Sequence, residues 1–445
     1  MKRTSPRILI IGAGPCGIGA AWNLHQRGYR NWTLYEQNNH AGGLSASFRD
    51  KTGFIWDLGG HVFFSRSVTF QRFLKDLPHG GLTRHQRNAW IFTHQTWIPY
   101  PLQNNIHFLP QTEYQRCLRS IRRQASLKGS PENFYDWLID RFGRYVADRY
   151  MVPLNQKMWS YPLRRLSKDW IETRISPLSQ TDRQEHHCSR IHNRHWGGNH
   201  DFFYPLHGGI GQVFRSATRS FQSHIVYDRP VRRIFSNRKT VVFQNGGRDY
   251  YDELIFTGDV RDLTAMLSPV NIKIKNAAKR LKSNSLFVLG LGFSQKRCDQ
   301  RTWMYFSSKR LPFYRITNLS NYSVNNTPPK KRQGYSSLLL EIRSAPATKR
   351  QENALLGRCL KGLINCGLIK EVDQDHLISI FTRTCSNAYP LPTLSRDRIL
   401  DTIHPQLQKS HIYALGRFGA FRYEAGNMDV CFMQGFRAIN RILRS

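Results

Sequence analysis

The chain has 445 residues, 40% hydrophobic and 12% aromatic, a globular composition with length for two or three domains and no apolar run approaching a membrane span. Its 66 lysines and arginines against 30 carboxylates leave a formal charge of +36, which attracts polyanions; the charge is spread rather than striped and no nucleic-acid module accompanies it, so specific nucleic-acid binding is set aside while attraction to anionic membrane surfaces stays open beside a simply solvated basic exterior. The eight cysteines are scattered with no C-x-x-C pair, and the basic start runs into a strand rather than a signal-peptide core, which suits reduced thiols in a cytoplasmic protein.

Ile8-Leu9-Ile10-Ile11 predicts a short buried parallel strand. Gly12, Gly14 and Gly17 follow in the spacing G-x-G-x-x-G, and a helical stretch runs on to Gly28. Glycines at these places allow a tight turn, backbone approach to a pyrophosphate and close helix–strand contact. Glu36 closes the next strand, where a carboxylate accepts both ribose hydroxyls. Together these residues predict a dinucleotide site with the phosphates on the helix N-terminus.

Further glycine groups at Gly42-Gly43 and Gly59-Gly60-His61 suit a flat isoalloxazine lying on bare backbone, which a simple NAD site does not require. Residues 111–160 are helix-rich, with one helix expected over Asn133–Val152. The run His186, His187, Cys188, His192 and His195 matches no closed zinc spacing, so no metal is expected. Later come Gly208-Gly209-Ile210-Gly211, strands at Ile225–Tyr227 and Val231–Phe235, and an Asn245-Gly246 hairpin expected to join Thr240–Gln244 to Tyr250–Thr257. Strands are expected at Ser285–Phe293, Trp303–Phe306 and Ser337–Ile342, and a helix at Glu352–Ile369. This order resembles the two-dinucleotide-fold FAD flavoproteins of the glutathione reductase and amine oxidase type. The expected class is α/β: a Rossmann-like FAD-binding domain (1–87, 201–283 and 376–445), a helical insert (105–196) and a small antiparallel β-sheet domain (88–104, 197–200 and 284–375).

Longer motifs narrow the reading. Tyr100-Pro101-Leu102-Gln103-Asn104-Asn105, Asn155-Gln156-Lys157-Met158-Trp159, Pro312-Phe313-Tyr314-Arg315, Gly416-Arg417-Phe418-Gly419 and Tyr423-Glu424-Ala425-Gly426-Asn427 stand in an order that resembles the eukaryotic UDP-galactopyranose mutases, over nearly the whole chain. Leu102 and Asp429-Val430-Cys431 depart from that pattern. The residue types fit a nucleotide sugar in their own right: Tyr100 and Trp159 offer faces to a uracil, Gln103 and Asn155 amides to its edge, and Arg174 and Arg315 forks for phosphate oxygens.

The resemblance implies redox-neutral interconversion of UDP-galactopyranose and UDP-galactofuranose, with N5 of reduced FAD attacking the anomeric carbon. It implies that Tyr305, Arg315, Tyr389 and Tyr423 bind the diphosphate with Tyr322 close by, and that Phe64, Asn199 and Asn427 lie near the sugar. His61, Arg174 and Arg315 are the implied catalytic set, and Gly12, Gly14, Gly17, Glu36, Gly43, Gly60, His61, Val231, Arg417 and Asn427 the implied FAD contacts. NAD(P)H is the implied reductant, received near Arg87 and Arg417. Two other readings stay open: an oxidase or desaturase of the amine oxidase type, and a mutase for another nucleotide-linked hexose.

Overall fold

The computed structural model describes residues 5–77, 80–123, 131–171, 174–175, 200–296, 298–329 and 334–444. Its nucleus is a five-stranded parallel sheet in the order Ile412–Ala414, Glu253–Phe256, Ile8–Ile11, Trp32–Tyr35, Ile225–Val226. All four residues of Ile8–Ile11 are buried, as expected for a strand covered on both faces. The helix Pro15–Gln26 follows at once, and Gly28 ends it with a left-handed turn, its N–H donating to the His25 carbonyl at 2.9 Å.

That first helix packs against the last, Met428–Ile442, at backbone contact distance. A Cβ on Gly435 would overlap the Cys16 carbonyl, and one on Gly19 the Phe432 carbonyl. Asn23 adds a polar tie, its amide nitrogen donating to the Phe436 carbonyl at 2.6 Å and to Asn440 Oδ1 at 2.8 Å. The two helix N-termini, at Gly14 and Asn427, are therefore held in one rigid pair.

A four-stranded sheet lies beside this core, in the order Arg248–Tyr250, Thr240–Phe243, Val231–Phe235, Leu267–Ser268. The hairpin at Asn245-Gly246 forms, but its second arm is shorter than the sequence suggests. Arg248–Tyr250 returns along Thr240–Phe243, whereas Glu253–Phe256 crosses into the parallel sheet to pair with Ile8–Ile11. An unbroken run of strand-forming residues hid a change of sheet.

The third sheet has seven strands, in the order Leu377–Pro390, Ser283–Phe293, Ser336–Ile342, Phe313–Asn318, Trp303–Phe306, Ala89–Thr93, Thr96–Pro99. Every pairing is antiparallel except that of Trp303–Phe306 with Ala89–Thr93. Period-2 alternation serves two cores: Phe287, Leu289 and Leu291 face Leu355, Cys359 and Leu363 of the helix Lys349–Asn365, while Leu286, Val288 and Leu339 face the main core with Trp56. The division expected at 375 is corrected here. Leu377–Pro390 belongs to this sheet because it pairs along nearly the whole of Ser283–Phe293.

The helical part contains Gln111–Arg122, Phe134–Val146 and Val152–Trp159. The single helix expected over Asn133–Val152 is kinked at Gly143, whose φ of +74° lies outside the helical region, and then widens into a π-helical turn at Ala147–Met151. Pro153 enters just after it and has no N–H to return to the preceding turn, so the widened turn relieves the ladder. Asn133 caps the start, its Oδ1 accepting from the Asp136 N–H at 3.0 Å.

The first-to-last helix contact makes a direct prediction. Gly435→Val should force the two backbones apart and lower the unfolding free energy by about 1–3 kcal/mol, the usual cost of overpacking a filled interior. Urea denaturation of wild type and variant reads this, and flavin retention should fall in parallel.

Candidate functional site

The dinucleotide cradle is built on the parallel sheet. Gly12 has φ +103°, and its N–H donates to the Tyr35 carbonyl at 2.7 Å, which turns the chain from strand to helix. A Cβ on Gly14 would meet nothing within 4 Å, so open space lies in front of the helix N-terminus, which no side chain caps. Gly43 lies across from it, where a Cβ would sit 3.3 Å from the Gly14 Cα. Glu36 is 5% exposed; Oε2 accepts from the Ala13 N–H at 2.7 Å and Oε1 from the Asn38 N–H at 2.9 Å. The Arg229 N–H donates to the Glu36 carbonyl at 2.9 Å, which brings the start of the Val231 strand to the same end of the site. An uncapped helix N-terminus, glycine backbone and a fixed carboxylate at the strand end fit a dinucleotide.

The flavin-side loop meets the large sheet through Gly60. A Cβ there would lie 2.5 Å from Thr317 Oγ1 and 2.6 Å from Trp303 Nε1, so only glycine lets the loop lie on the strands. The Gly60 N–H donates to Glu341 Oε1 at 3.1 Å. Glu341 stands directly opposite Arg315 in the strand register, and the guanidinium grips it with Nε at 2.7 Å and a terminal nitrogen at 2.8 Å. Tyr314 donates its hydroxyl to the same carboxylate. Burial pushes Glu341 up, but Arg315 and the hydrogen bonds from Tyr314 and Gly60 outweigh it and hold the carboxyl below its ordinary range.

His61 follows Gly60. Burial is the main cause pushing its imidazole down to about 3, with Arg417 adding to the effect and Glu341 opposing it. The ring is therefore neutral across the physiological range. Its Nδ1 is buried and has no hydrogen-bond partner among the described residues, so an acceptor or donor is left facing the space beside the loop.

Aromatic and arginine side chains continue from Arg315 in one connected series. Tyr305 stands opposite Arg315 across the strands and stacks on Tyr100, with centroids 5.1 Å apart and an interplanar angle of 28°. The Arg87 guanidinium lies 4.6 Å from the Tyr100 ring and 5.3 Å from that of Trp303. Arg343 donates to the Tyr314 hydroxyl at 3.1 Å and lies 4.8 Å from the Tyr389 ring. Tyr389 meets Tyr423 edge-on at 5.5 Å, and Tyr423 meets Trp159 at 4.7 Å. Arg174 covers the Tyr423 ring at 4.3 Å and donates to the Asn427 side-chain oxygen at 3.0 Å. Tyr100, Tyr305 and Tyr389 border both the helical core and the main core, so the site follows the seam between them.

The remaining expected residues fall as follows. Gln103 and Asn155 are buried near the helical end, and Asn155 donates its amide to the Met151 carbonyl at 2.8 Å, which leaves its oxygen uncommitted to that bond. Phe64 is partly buried against the main core. Tyr322 is 1% exposed and packs edge-on behind Trp303 at 5.8 Å, one layer further in than the other tyrosines. Arg417 is spent on backbone, donating to the Gly426 carbonyl at 2.6 Å and the Ala388 carbonyl at 3.3 Å, so it braces the loop that carries Tyr423 and Asn427. Asn199 and the histidine run from His186 to His195 lie outside the described residues. Among the described residues no cluster could hold a metal ion.

Three contributors were missed in the sequence: Glu341, Arg343 and Arg396. Glu341 had a signal, as the lone charge in the otherwise apolar and hydroxylic strand Ser336–Ile342. Arg396 had none; it is 1% exposed and forks onto Glu424 at 2.8 and 2.9 Å from a helix remote in sequence.

Glu341 is testable by stability. Glu341→Gln leaves the Arg315 guanidinium without its counter-charge and should lower the unfolding free energy by about 3 kcal/mol at neutral pH. Because the folded carboxyl titrates below its ordinary value of 4.5, this contribution is present above that pH and is lost as pH falls through the folded value. The gap between wild type and variant in denaturant midpoint should accordingly narrow in acid.

Comparison with known proteins agrees with this geometry. A family model described as flavin containing amine oxidoreductase matches residues 15–443. A crystal structure of reduced UDP-galactopyranose mutase superposes with a TM-score of 0.93 at 35% identity, covering 99% of this chain and 94% of that one. Cyclohexylamine oxidase from Brevibacterium oxydans shares the fold, with a TM-score of 0.68, 14% identity and 99% of both chains covered. Among curated sequences, a 4,4'-diapophytoene desaturase of Staphylococcus aureus is 28% identical over 152 residues, which are 33% of this chain and 28% of that protein. An L-glutamate oxidase precursor of Streptomyces viridosporus is 43% identical over 61 residues, 14% of this chain and 8% of that protein. These curated relatives are thus matched over less than a third of their length. The chain belongs to the flavin-containing amine oxidoreductase family and, by its likeness over nearly the full length, to the UDP-galactopyranose mutases within it.

Proposed function

We propose that this protein interconverts UDP-galactopyranose and UDP-galactofuranose with no net oxidation. The observation that carries the reading is the connected series of Arg315, Arg343, Arg174 and Tyr305, Tyr389, Tyr423 beside the Gly60–His61 loop. Among the described residues Glu341 is the one carboxylate contacting it, and it is fully spent on Arg315, Tyr314 and Gly60. Such a lining is cationic and rich in hydroxyls, which suits a diphosphate and offers nothing to an amine substrate. An amine oxidase reading fails on that charge.

FAD is the cofactor, held on Gly12, Gly14, Gly17, Glu36, Gly43, Gly60 and Val231, with Arg417 and Asn427 shaping the far side. Reduced flavin, when bound, supplies a nucleophile for the anomeric carbon. The chain's own task is then to expel UDP, keep it, and return it to a different ring oxygen. Arg174 and Arg315 neutralise charge on the departing diphosphate, and Tyr305, Tyr389 and Tyr423 donate hydroxyls to the same phosphates. Tyr100 and Trp159 line the uracil end of the site, with Gln103 and Asn155 at the edge of the base. Phe64 and Asn427 border the sugar, and Tyr322 supports the pocket from behind Trp303.

His61 acts as a neutral imidazole. Its depressed protonation means that it can offer or accept one hydrogen bond next to the flavin without adding positive charge to a site already rich in arginine. NAD(P)H is the proposed reductant, with Arg87 over Tyr100 as the cation that meets its phosphates.

Arg174→Ala and Arg315→Lys should each lower kcat/KM by on the order of a hundredfold, through loss of charge-assisted or bidentate phosphate contacts, with FAD content unchanged. Near-wild-type kinetics in both variants would remove the diphosphate site.

Stoichiometry separates a mutase from an oxidase. With the flavin reduced by dithionite and oxygen excluded, many molecules of UDP-galactofuranose should convert per flavin, as read by chromatography of the sugar nucleotides. A single turnover per flavin, or conversion that tracks oxygen uptake, would sink the assignment.

A further inference from the structure

A second feature lies away from this site, at the edge of the four-stranded sheet. The edge strand Leu267–Ser268 leads through a short turn into the helix Ile272–Ala278. Asn271 caps that helix, its Oδ1 accepting from the Ile274 N–H at 3.3 Å. Ile274, Ala277 and Ala278 turn inward and join the core that holds Ile399, Ile403 and Leu407 of the helix Arg396–Lys409.

The outward side is unusual. Val270 is 50% exposed and Ile272 is 68% exposed, two aliphatic side chains presented together to solvent. Lys273, Lys279, Arg280 and Lys282 are exposed around them and Lys275 partly so. None of these five cations is ion-paired to a carboxylate among the described residues. The sequence carries no aspartate or glutamate between Asp262 and Asp299. The adjoining turn is tied in by the Ser236 N–H donating to the Ser268 carbonyl at 2.9 Å, and it adds exposed Arg238. On the same small sheet, Arg233 and Arg248 flank Val242 in register.

We propose that this face docks on an anionic lipid surface, with Val270 and Ile272 entering the headgroup layer and the ring of lysines meeting lipid phosphates. A lone basic patch would suit any polyanion. The aliphatic pair selects lipid, because a nucleic-acid backbone gives such side chains nothing to bury against, and no aromatic side chain stands among residues 268–282 on which a base could stack. The arrangement combines the two contributions that hold proteins at an interface: apolar burial and charge attraction.

The test uses the flavin-loaded full chain and sedimentation with vesicles of phosphatidylcholine alone or mixed with phosphatidylserine. Partitioning is expected only into the mixed vesicles, and it should weaken as salt rises. The pair Lys273→Ala and Lys279→Ala should lower partitioning about 25-fold, at about fivefold per cation near such a surface. The pair Val270→Ser and Ile272→Ser should lower it on the order of tenfold through lost apolar burial. Melting temperature, flavin content and conversion of soluble substrate should be unchanged in both, since all four residues lie outside the arginine series. Absence of partitioning into mixed vesicles overturns the proposal. So does full partitioning by the serine pair, and so does equal competition by a single-stranded oligonucleotide, since either would mean charge attraction alone.

Discussion

Much of the site depends on one buried carboxylate. Glu341 has no exposure, yet it stays ionised because two separate parts of the chain supply its three partners. An unpaired charge in such a place costs several kcal/mol, so the groups that satisfy it cannot drift independently. Gly60 belongs to the flavin-side loop, Tyr314 and Arg315 to a sheet strand, and Glu341 to the strand beside it. The carboxylate therefore fixes the distance between the Gly60 backbone and the arginine proposed to meet the diphosphate. It also uses up one side of that arginine, leaving the rest of the guanidinium directed by geometry rather than by rotamer freedom. Preorganisation of this kind is what a reaction with a charged leaving group requires.

A parallel arrangement fixes the opposite wall. Arg396 is buried and holds Glu424, while Arg417 holds the Gly426 and Ala388 carbonyls. These two clamps hold the short segment that carries Tyr423 and leads to Asn427. Arg174 reaches the same segment from the helical part, through the Tyr423 ring and the Asn427 side chain. Two parts of the fold thus share one loop. Movement of either relative to the other would reshape the site rather than merely uncover it.

Local patterns were legible where local physics decides. The strand Ile8–Ile11, the glycine turn, the strand Val231–Phe235 and the strand Trp303–Phe306 lie where alternation and glycine spacing place them. Failures came where a tertiary choice had to be made between equal local options. The residues 250–257 read as one strand, but two sheets divide them. Leu377–Pro390 could join either neighbour, and the long free edge of Ser283–Phe293 took it. Within the site, aromatic and arginine positions in extended motifs were readable. Arg396 was not, and Glu341 stood out only as a lone charge in an apolar strand, because a buried charge declares its role only when its partners are seen, and Arg315, Gly60 and Glu424 lie 26, 281 and 28 residues away from them.

The contact between the helices Pro15–Gln26 and Met428–Ile442 bears on how the chain reaches this structure. The strand and turn that open the flavin fold are made long before the surface that must cover their helix, with Asn23 waiting for Asn440 across 417 positions. Closing so long a loop is costly before its contacts repay it, and the exposed helix face is sticky in the meantime. The helical insert and the sheet around Ser283–Phe293 can assemble during synthesis from nearer neighbours. Flavin capture then waits until Met428–Ile442 has locked onto Pro15–Gln26, and aggregation through the uncovered helix face is the competing fate.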